Sequence, residues 1–161
     1  MYIQSKCQLR KLYALPKSKA IEKESQVLDE HAISFIESSP FVVISTFDEK
    51  GKINISPRGG KRGFVSVLSG KCIIIPDAKG NNRIDSLLNI VETGKIGCLF
   101  LVPKLNETLR INGSAKVSVK EQHLGLDFGL PIAPKSCIEV TITEVFLHCS
   151  KSLIRSKLML A

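Results

Sequence analysis

The chain has 161 residues, 43% of them hydrophobic, enough for one ordinary core and too few for two. Lysine plus arginine outnumber aspartate plus glutamate 23 to 15, giving a net charge of +8; an anionic partner is favoured, with nucleic acid, a phosphorylated small molecule and an anionic membrane all open. The five cysteines, Cys7, Cys72, Cys98, Cys137 and Cys149, are odd in number, far apart and never spaced Cys-x-x-Cys, which argues against a disulfide framework or a zinc site and fits a reducing, cytoplasmic compartment.

The first acidic residue is Glu22, so the start "MYIQSKCQLRKLYAL" is basic and amphipathic. It lacks the continuous apolar stretch of a secretory signal, and no run approaches bilayer length. Residues 1–38 are expected to form a helical extension that packs on the domain that follows. Within it, Val27, Leu28, Ala32, Ile33, Phe35 and Ile36 recur at helical spacing and predict a helix from Ile21 to Ser38, stopped by Pro40.

Seven segments rich in Val, Ile and Phe follow: "FVVISTF", "KINIS", "FVSVL", "CIIIP", "IGCLFLV", "LRINGSAKVSV" and "CIEVTITEVFLHC". Turn chemistry such as "DEKGK", "SGK" and "KLNET" separates them, the pattern of an antiparallel sheet that closes on itself. One strong helix interrupts the series, "RIDSLLNIVET", with Asn82 placed as N-cap, Asp85 three residues on and Gly94 just past its end. The last segment, "SKSLIRSKLML", reads as a short helix or tail on the barrel, with Leu153, Ile154, Leu158 and Leu160 available for burial. There are no repeats, and a single domain spanning 1–161 is expected.

Three places can carry chemistry. In "ISPRGGKRGF" strand alternation puts Asn54, Ser56 and Arg58 on one face and Ile53, Ile55 and Pro57 on the other. Gly59 and Gly60 could then turn backbone N–H groups toward an anion, with Arg58 as a bidentate fork; a plain solvated turn is the alternative. "PDAKGNNRIDSL" runs a strand through a glycine turn into a helix whose start holds Asn81, Asn82 and Arg83, an anion site by backbone geometry, or else an ordinary capped helix. Its spacing is neither a Walker loop nor a dinucleotide fingerprint. In "ETLRINGSAKV", Leu109, Ile111, Gly113, Ala115 and Val117 share one face, and Gly113 suggests close approach of a backbone or a flat ligand. His148 and Cys149 are strand neighbours on opposite faces, which argues against a Cys–His dyad and makes Cys149 a core residue. Three histidines, His31, His123 and His148, give no metal cage.

In order, "SPFVVISTFDEKGKINISPRGG", "IIIPDAKGNNRIDSLLNI", "GCLFLVP", "ETLRINGSAKV" and "FLHCSKSLIRSKL" resemble the pyridoxamine 5'-phosphate oxidase-like proteins of the FMN-binding split β-barrel class, in a subgroup known only as FMN-dependent enzymes. The likeness runs from about Asp29 to Leu158. It implies a mainly β, antiparallel split barrel with a few peripheral helices, and a homodimer with two FMN molecules at its interface. Ser56, Pro57, Arg58 and Gly59 would hold the phosphate and ribityl chain, Ile75, Pro76 and Asp77 would run along the flavin, and Asn82 and Arg83 would close on the phosphate. Arg110 is a further contact that the resemblance implies, and the C-terminal "HCSKSLIRS" would approach the flavin through His148, Lys151 or Arg155. Gly60 stands where many relatives carry an acid, and Arg62 near where they carry a proline. The tryptophan that commonly follows the last "RS-x-L" and the arginine-leucine-x-proline ending of vitamin B6 oxidases are absent from this sequence. Pyridoxine phosphate is therefore not the first substrate expected.

Two functions follow. One is an FMN-dependent oxidoreductase with an undefined small-molecule redox substrate or a nicotinamide or deazaflavin donor; its catalytic residues are unassigned, since no side chain is an obvious proton donor. The other is a non-enzymatic module that holds flavin or binds nucleic acid through charge. Aromatic residues make up 6% of the chain and tryptophan is absent, so base-stacking platforms are poorly supplied and sequence-specific nucleic-acid binding is not expected. No membrane partner is expected either.

Overall fold

A computed structural model describes residues 2–16, 24–148 and 151–158. All seven expected strands form: β2 (Phe41–Phe47), β3 (Ile53–Gly59), β4 (Ser66–Ser69), β5 (Cys72–Pro76), β6 (Lys95–Leu101), β7 (Thr108–Ser118) and β8 (Cys137–His148). An eighth, β1 (Glu24–Ser25), is two residues long. Every pairing is antiparallel, and the order is β3-β2-β6-β7-β8-β5-β4, with β1 also on β8. β3 and β4, at the two ends of this order, do not pair with each other. The sheet is a split barrel, and its seam lies between the β3 side and the β5-β4 side.

Alternation builds the interior. Val42 and Ile44 of β2, Ile73 and Ile75 of β5, Phe100 of β6 and Ile111 of β7 are wholly buried and belong to one apolar cluster. Burial of side chains this size stabilises the fold by about 1.5–3 kcal/mol each. Gly113 of β7 sits at a register shift and is buried, and the Thr141 carbonyl of β8 comes close above it. The expected close approach is thus to a backbone of the same sheet.

Two helix expectations need correction. The helix α2 runs only from Glu30 to Ser38. Asp29 sets its start by accepting from the Ala32 N–H at 2.7 Å, and Glu24 and Ser25 are drawn into β1 opposite Phe146 and Val145. A side-chain cap and a sheet edge outcompete the helical period upstream. Residues 21–23 of the expected helix lie outside the described residues. The helix α3 (Asp85–Thr93) begins later than the pattern implied: its N-cap is Ile84, without a side-chain cap bond. Asn82 adopts a left-handed φ of 60° and the Asn81 side chain accepts from the Arg83 N–H at 3.0 Å, a local turn that asparagine readily forms in place of a helix. Gly94 ends α3 as expected, with φ 63°.

Of the expected 1–38 extension, Leu28, Ala32, Phe35 and Ile36 join the barrel core, whereas residues 2–16 are exposed. The short helix α1 (Lys6–Arg10) has no buried residue, and Tyr2, Leu12, Tyr13 and Leu15 are exposed. Five helical residues are too few to offer a face wide enough for docking. After β7 comes α4 (Glu121–Leu124), and after β8 comes α5 (Lys151–Ser156), which buries Leu153 as expected but leaves Ile154 and Leu158 exposed. Leu160 and Cys149 lie outside the described residues.

Candidate functional site at the barrel seam

The seam is where β3 and the end of β5 face each other without hydrogen bonds, and side chains bridge it instead. Arg58 lies opposite Val42 in the β2–β3 register, and Ser56 opposite Ile44, so the polar triplet of β3 points toward the barrel side. Ile53 and Ile55 point outward and are 68% and 67% exposed. From β3, Arg58 Nη1 reaches across to Asp77 Oδ1 at 2.6 Å. Both side chains are largely buried, and Arg58 Nε is buried with no hydrogen-bond partner.

This pair lies in the wall of a cavity of about 520 Å³. Ser56, Pro57 and Arg58 form one side. Asp77 to Ile84 form a second, and Ile132 to Lys135 a third. The volume lies within the range typical of small-molecule and cofactor sites. Four cationic side chains line it, Arg58, Lys79, Arg83 and Lys135, against one acid, Asp77. Two of the cations already have carboxylate partners, since Arg83 Nη2 stands 3.0 Å from Asp85 Oδ2.

Local structure fixes this geometry. α3 is tied to the strands by Ser86 Oγ donating to Asn54 Oδ1 at 2.9 Å and Asn89 Nδ2 donating to Thr46 Oγ1 at 3.0 Å. These bonds hold the Asn81–Ile84 turn over the end of β3. The third wall is held by the Asp77 N–H donating to the Ser136 carbonyl at 3.0 Å and by a second apolar cluster of Ile74, Phe128 and Cys137. Burial pushes the Cys137 thiol pKa up to about 11, and the negative charge of Asp77 adds to the effect.

Of the residues singled out in the sequence, Ser56, Pro57, Arg58, Asp77, Asn82 and Arg83 come together around the cavity. Gly59, Ile75, Pro76, Arg110 and Lys151 do not line it. Ile75 and Pro76 are buried, Ile75 within the barrel core. Arg110 pairs with Glu144 and stacks over Phe146, 5.1 Å from the ring centroid. In the strand register it shares a face with Leu99, Val43 and Pro57. The Gly60 N–H does not turn toward the cavity as the anion-cradle expectation required. The Gly60 N–H donates to the Pro40 carbonyl at 3.0 Å and the Gly63 N–H to the Ser39 carbonyl at 3.2 Å, so the loop is latched to the end of α2 and these N–H groups are spent.

Sequence reasoning missed Lys79 and the whole third wall, Ile132 to Lys135. The prolines of "GLPIAPKS" mark a loop, but nothing local says which cavity that loop reaches. A smaller cavity of about 300 Å³ lies on the far side of Arg83, bounded by Asp48, Lys52, Asn54 and Glu92 among others.

A split barrel with a basic cavity at its seam is the class that fold and site define. The family model described as pyridoxamine 5'-phosphate oxidase matches residues 28–149, and the chain belongs to that family. No curated protein sequence matches. Among solved structures, HupZ of Group A Streptococcus is 20% identical, with a TM-score of 0.63 over 76% of this chain and 95% of its own. An FMN-binding protein of Syntrophomonas wolfei is 16% identical, with a TM-score of 0.50 over 74% and 87%. HutZ, the heme storage protein of Vibrio cholerae, is 12% identical, with a TM-score of 0.52 over 76% and 94%. At these identities the likeness establishes the fold.

Proposed function

We propose that the seam cavity binds FMN and that the protein is an FMN-dependent oxidoreductase acting on a small redox substrate or taking electrons from a nicotinamide or deazaflavin donor. The observation that carries this reading is the convergence of four cations from three separate segments on one cavity. A phosphate monoester, with about −1.5 to −2 charges near neutral pH, suits such a wall. Arg58, Asn82 and Arg83 would hold the phosphate, and Ser56 and Asp77 the ribityl hydroxyls. When bound, the flavin supplies the redox chemistry; the chain's part is to bind, orient and exclude water. A heme reading, which the likeness to HutZ raises, has less support: none of the cavity residues is a histidine, cysteine, tyrosine or methionine that could ligate iron.

The same reading includes a homodimer. Across the outer face of the sheet, Pro57, Val43, Leu99, Arg110 and Phe146 fall in one register row. Ile53, Ile55, Phe41 and Phe47 are exposed on the adjoining strands β2 and β3. An apolar sheet face of this kind is the usual mark of an interaction surface.

The test is the absorption spectrum of the purified protein. A band in the blue and near ultraviolet, released by heat and identified as FMN and not FAD, is the expected result. Colourless protein that FMN cannot reconstitute would leave the non-enzymatic module as the better reading. No helix among the described residues is long and apolar enough to cross a membrane.

A further inference from the structure

The geometry points to Asp77 as an internal counter-ion that competes with the ligand's phosphate for Arg58, and so sets both how tightly and how selectively the cavity takes phosphorylated ligands. The inference rests on the FMN reading of the cavity for its natural ligand, though not for its chemistry. Arg58 is the one cation that enters the cavity from the β3 side of the seam, and its Nη1 is engaged by Asp77 Oδ1 at 2.6 Å. With side-chain exposures of 19% and 23%, the pair is partly shielded from water, so its mutual attraction exceeds that of a fully exposed pair.

An incoming phosphate therefore meets a guanidinium already matched by a carboxylate. It must share the fork with a like charge or displace it, and either route weakens phosphate binding. A neutral ligand portion does not face this competition: a hydroxyl can donate to Asp77 without disturbing Arg58. The pair thus penalises the charged end of a ligand selectively. It also bridges the two sides of the seam, from β3 to the end of β5, which explains why a carboxylate stands in a wall otherwise built for anions: without a ligand, Asp77 keeps Arg58 from being a buried, unmatched charge.

The test is a titration of wild type, Asp77→Asn and Asp77→Glu with FMN, riboflavin and inorganic phosphate, followed by fluorescence for the flavins and calorimetry for phosphate. Asp77→Asn is expected to tighten inorganic phosphate by about tenfold or more, a change of about 1.4 kcal/mol, and to raise the ratio of FMN to riboflavin affinity by about as much, since any loss at the ribityl hydroxyls is common to both flavins. Asp77→Glu, which keeps the charge, is expected to stay near wild type. Unchanged or weaker phosphate binding and an unchanged or lower ratio of FMN to riboflavin affinity in Asp77→Asn would overturn the inference and leave the FMN reading standing, provided that wild type binds FMN. Tighter phosphate in a protein that takes no flavin would overturn the FMN reading and keep the inference. Binding of neither would sink both. Should Asp77→Asn fail to fold, the wild type itself decides: on addition of phosphate, the Asp77 carboxyl carbon and Arg58 Nε resonances are expected to shift together, and a static Asp77 signal at phosphate saturation would refute the competition.

Discussion

Gly113 of β7 lies so close to Thr141 of β8 that a Cβ added to it would stand 2.3 Å from the Thr141 carbonyl oxygen and 3.2 Å from Val140 Cγ1. The obstruction is backbone within the most extensively paired strands of the sheet, so no side-chain rotation relieves it. Gly113→Ala should therefore destabilise the fold by about 1 to 3 kcal/mol, as overpacking in a tight interior does. For a domain of this length each kcal/mol lowers Tm by roughly 2–4 °C. Thermal unfolding followed by circular dichroism checks this, and an unchanged midpoint would mean that β7 and β8 can part there at little cost.

The outward isoleucines lead to a second expectation. If Ile53 and Ile55 lie in a dimer interface, Ile55→Asp places a charge where apolar surface is to be buried, and the dimer should dissociate to monomer at micromolar concentration. In the monomer Ile55 is already 67% exposed, so the fold itself should survive. Light scattering on wild type and variant decides; a wild type that is monomeric from the outset would count against the interface.

Strand β3 shows how far local pattern reaches. Alternation correctly groups Asn54, Ser56 and Arg58 against Ile53, Ile55 and Pro57, because side-chain period is a property of the backbone. Which group faces inward is another matter, and here the polar group lies over Val42, Ile44 and Thr46 while the isoleucines face out. A rule that buries apolar residues inverts this strand, since the edge position at the seam and the outer sheet face decide it. Likewise Gly94 is legible as a helix stop, because its left-handed φ is a local demand, whereas the late start of α3 turns on the competing Asn81–Arg83 turn. The third wall of the cavity, Ile132 to Lys135, is set by Ile74, Phe128 and Cys137 packing across distant segments, which no window of sequence contains.

Acidification should expose the state of His148. Its pKa is held below the ordinary 6.5 first by burial and then by the positive charge of Arg110, with Glu144 opposing; its ring also stacks edge-on with Phe146 at 4.8 Å. A histidine whose folded pKa is depressed takes up its proton more readily in the unfolded chain. Stability should therefore fall as pH drops through 6.5 toward the folded value, and be flat above it. His148→Gln should flatten this part of the profile. Urea unfolding between pH 5 and 8 measures it, and the same slope in wild type and variant would assign the loss to other groups.

The seam predicts most about Arg58. If the FMN phosphate meets Arg58, replacing that residue with alanine removes the fork from the β3 side of the cavity and leaves Asp77, only 23% exposed, facing that phosphate with nothing between them. Truncating one side of a buried, hydrogen-bonded charge pair costs roughly 2 to 5 kcal/mol, so FMN affinity should fall by about 30-fold or more. Arg58→Lys should recover part of the loss, because an ammonium keeps the charge but cannot present two parallel donors. Riboflavin, lacking the phosphate, should bind wild type and Arg58→Ala with similar weakness. Lys61 and Arg62 lie in the loop latched to Ser39 and Pro40 and do not line the cavity, so their alanine variants should change FMN affinity by less than about 1 kcal/mol, the range of screened surface charge. Fluorescence titration of the set distinguishes these cases. Equal FMN affinity in wild type and Arg58→Ala would place the phosphate at the Lys79–Lys135 side of the cavity and make the Arg58–Asp77 bridge a structural clasp of the seam.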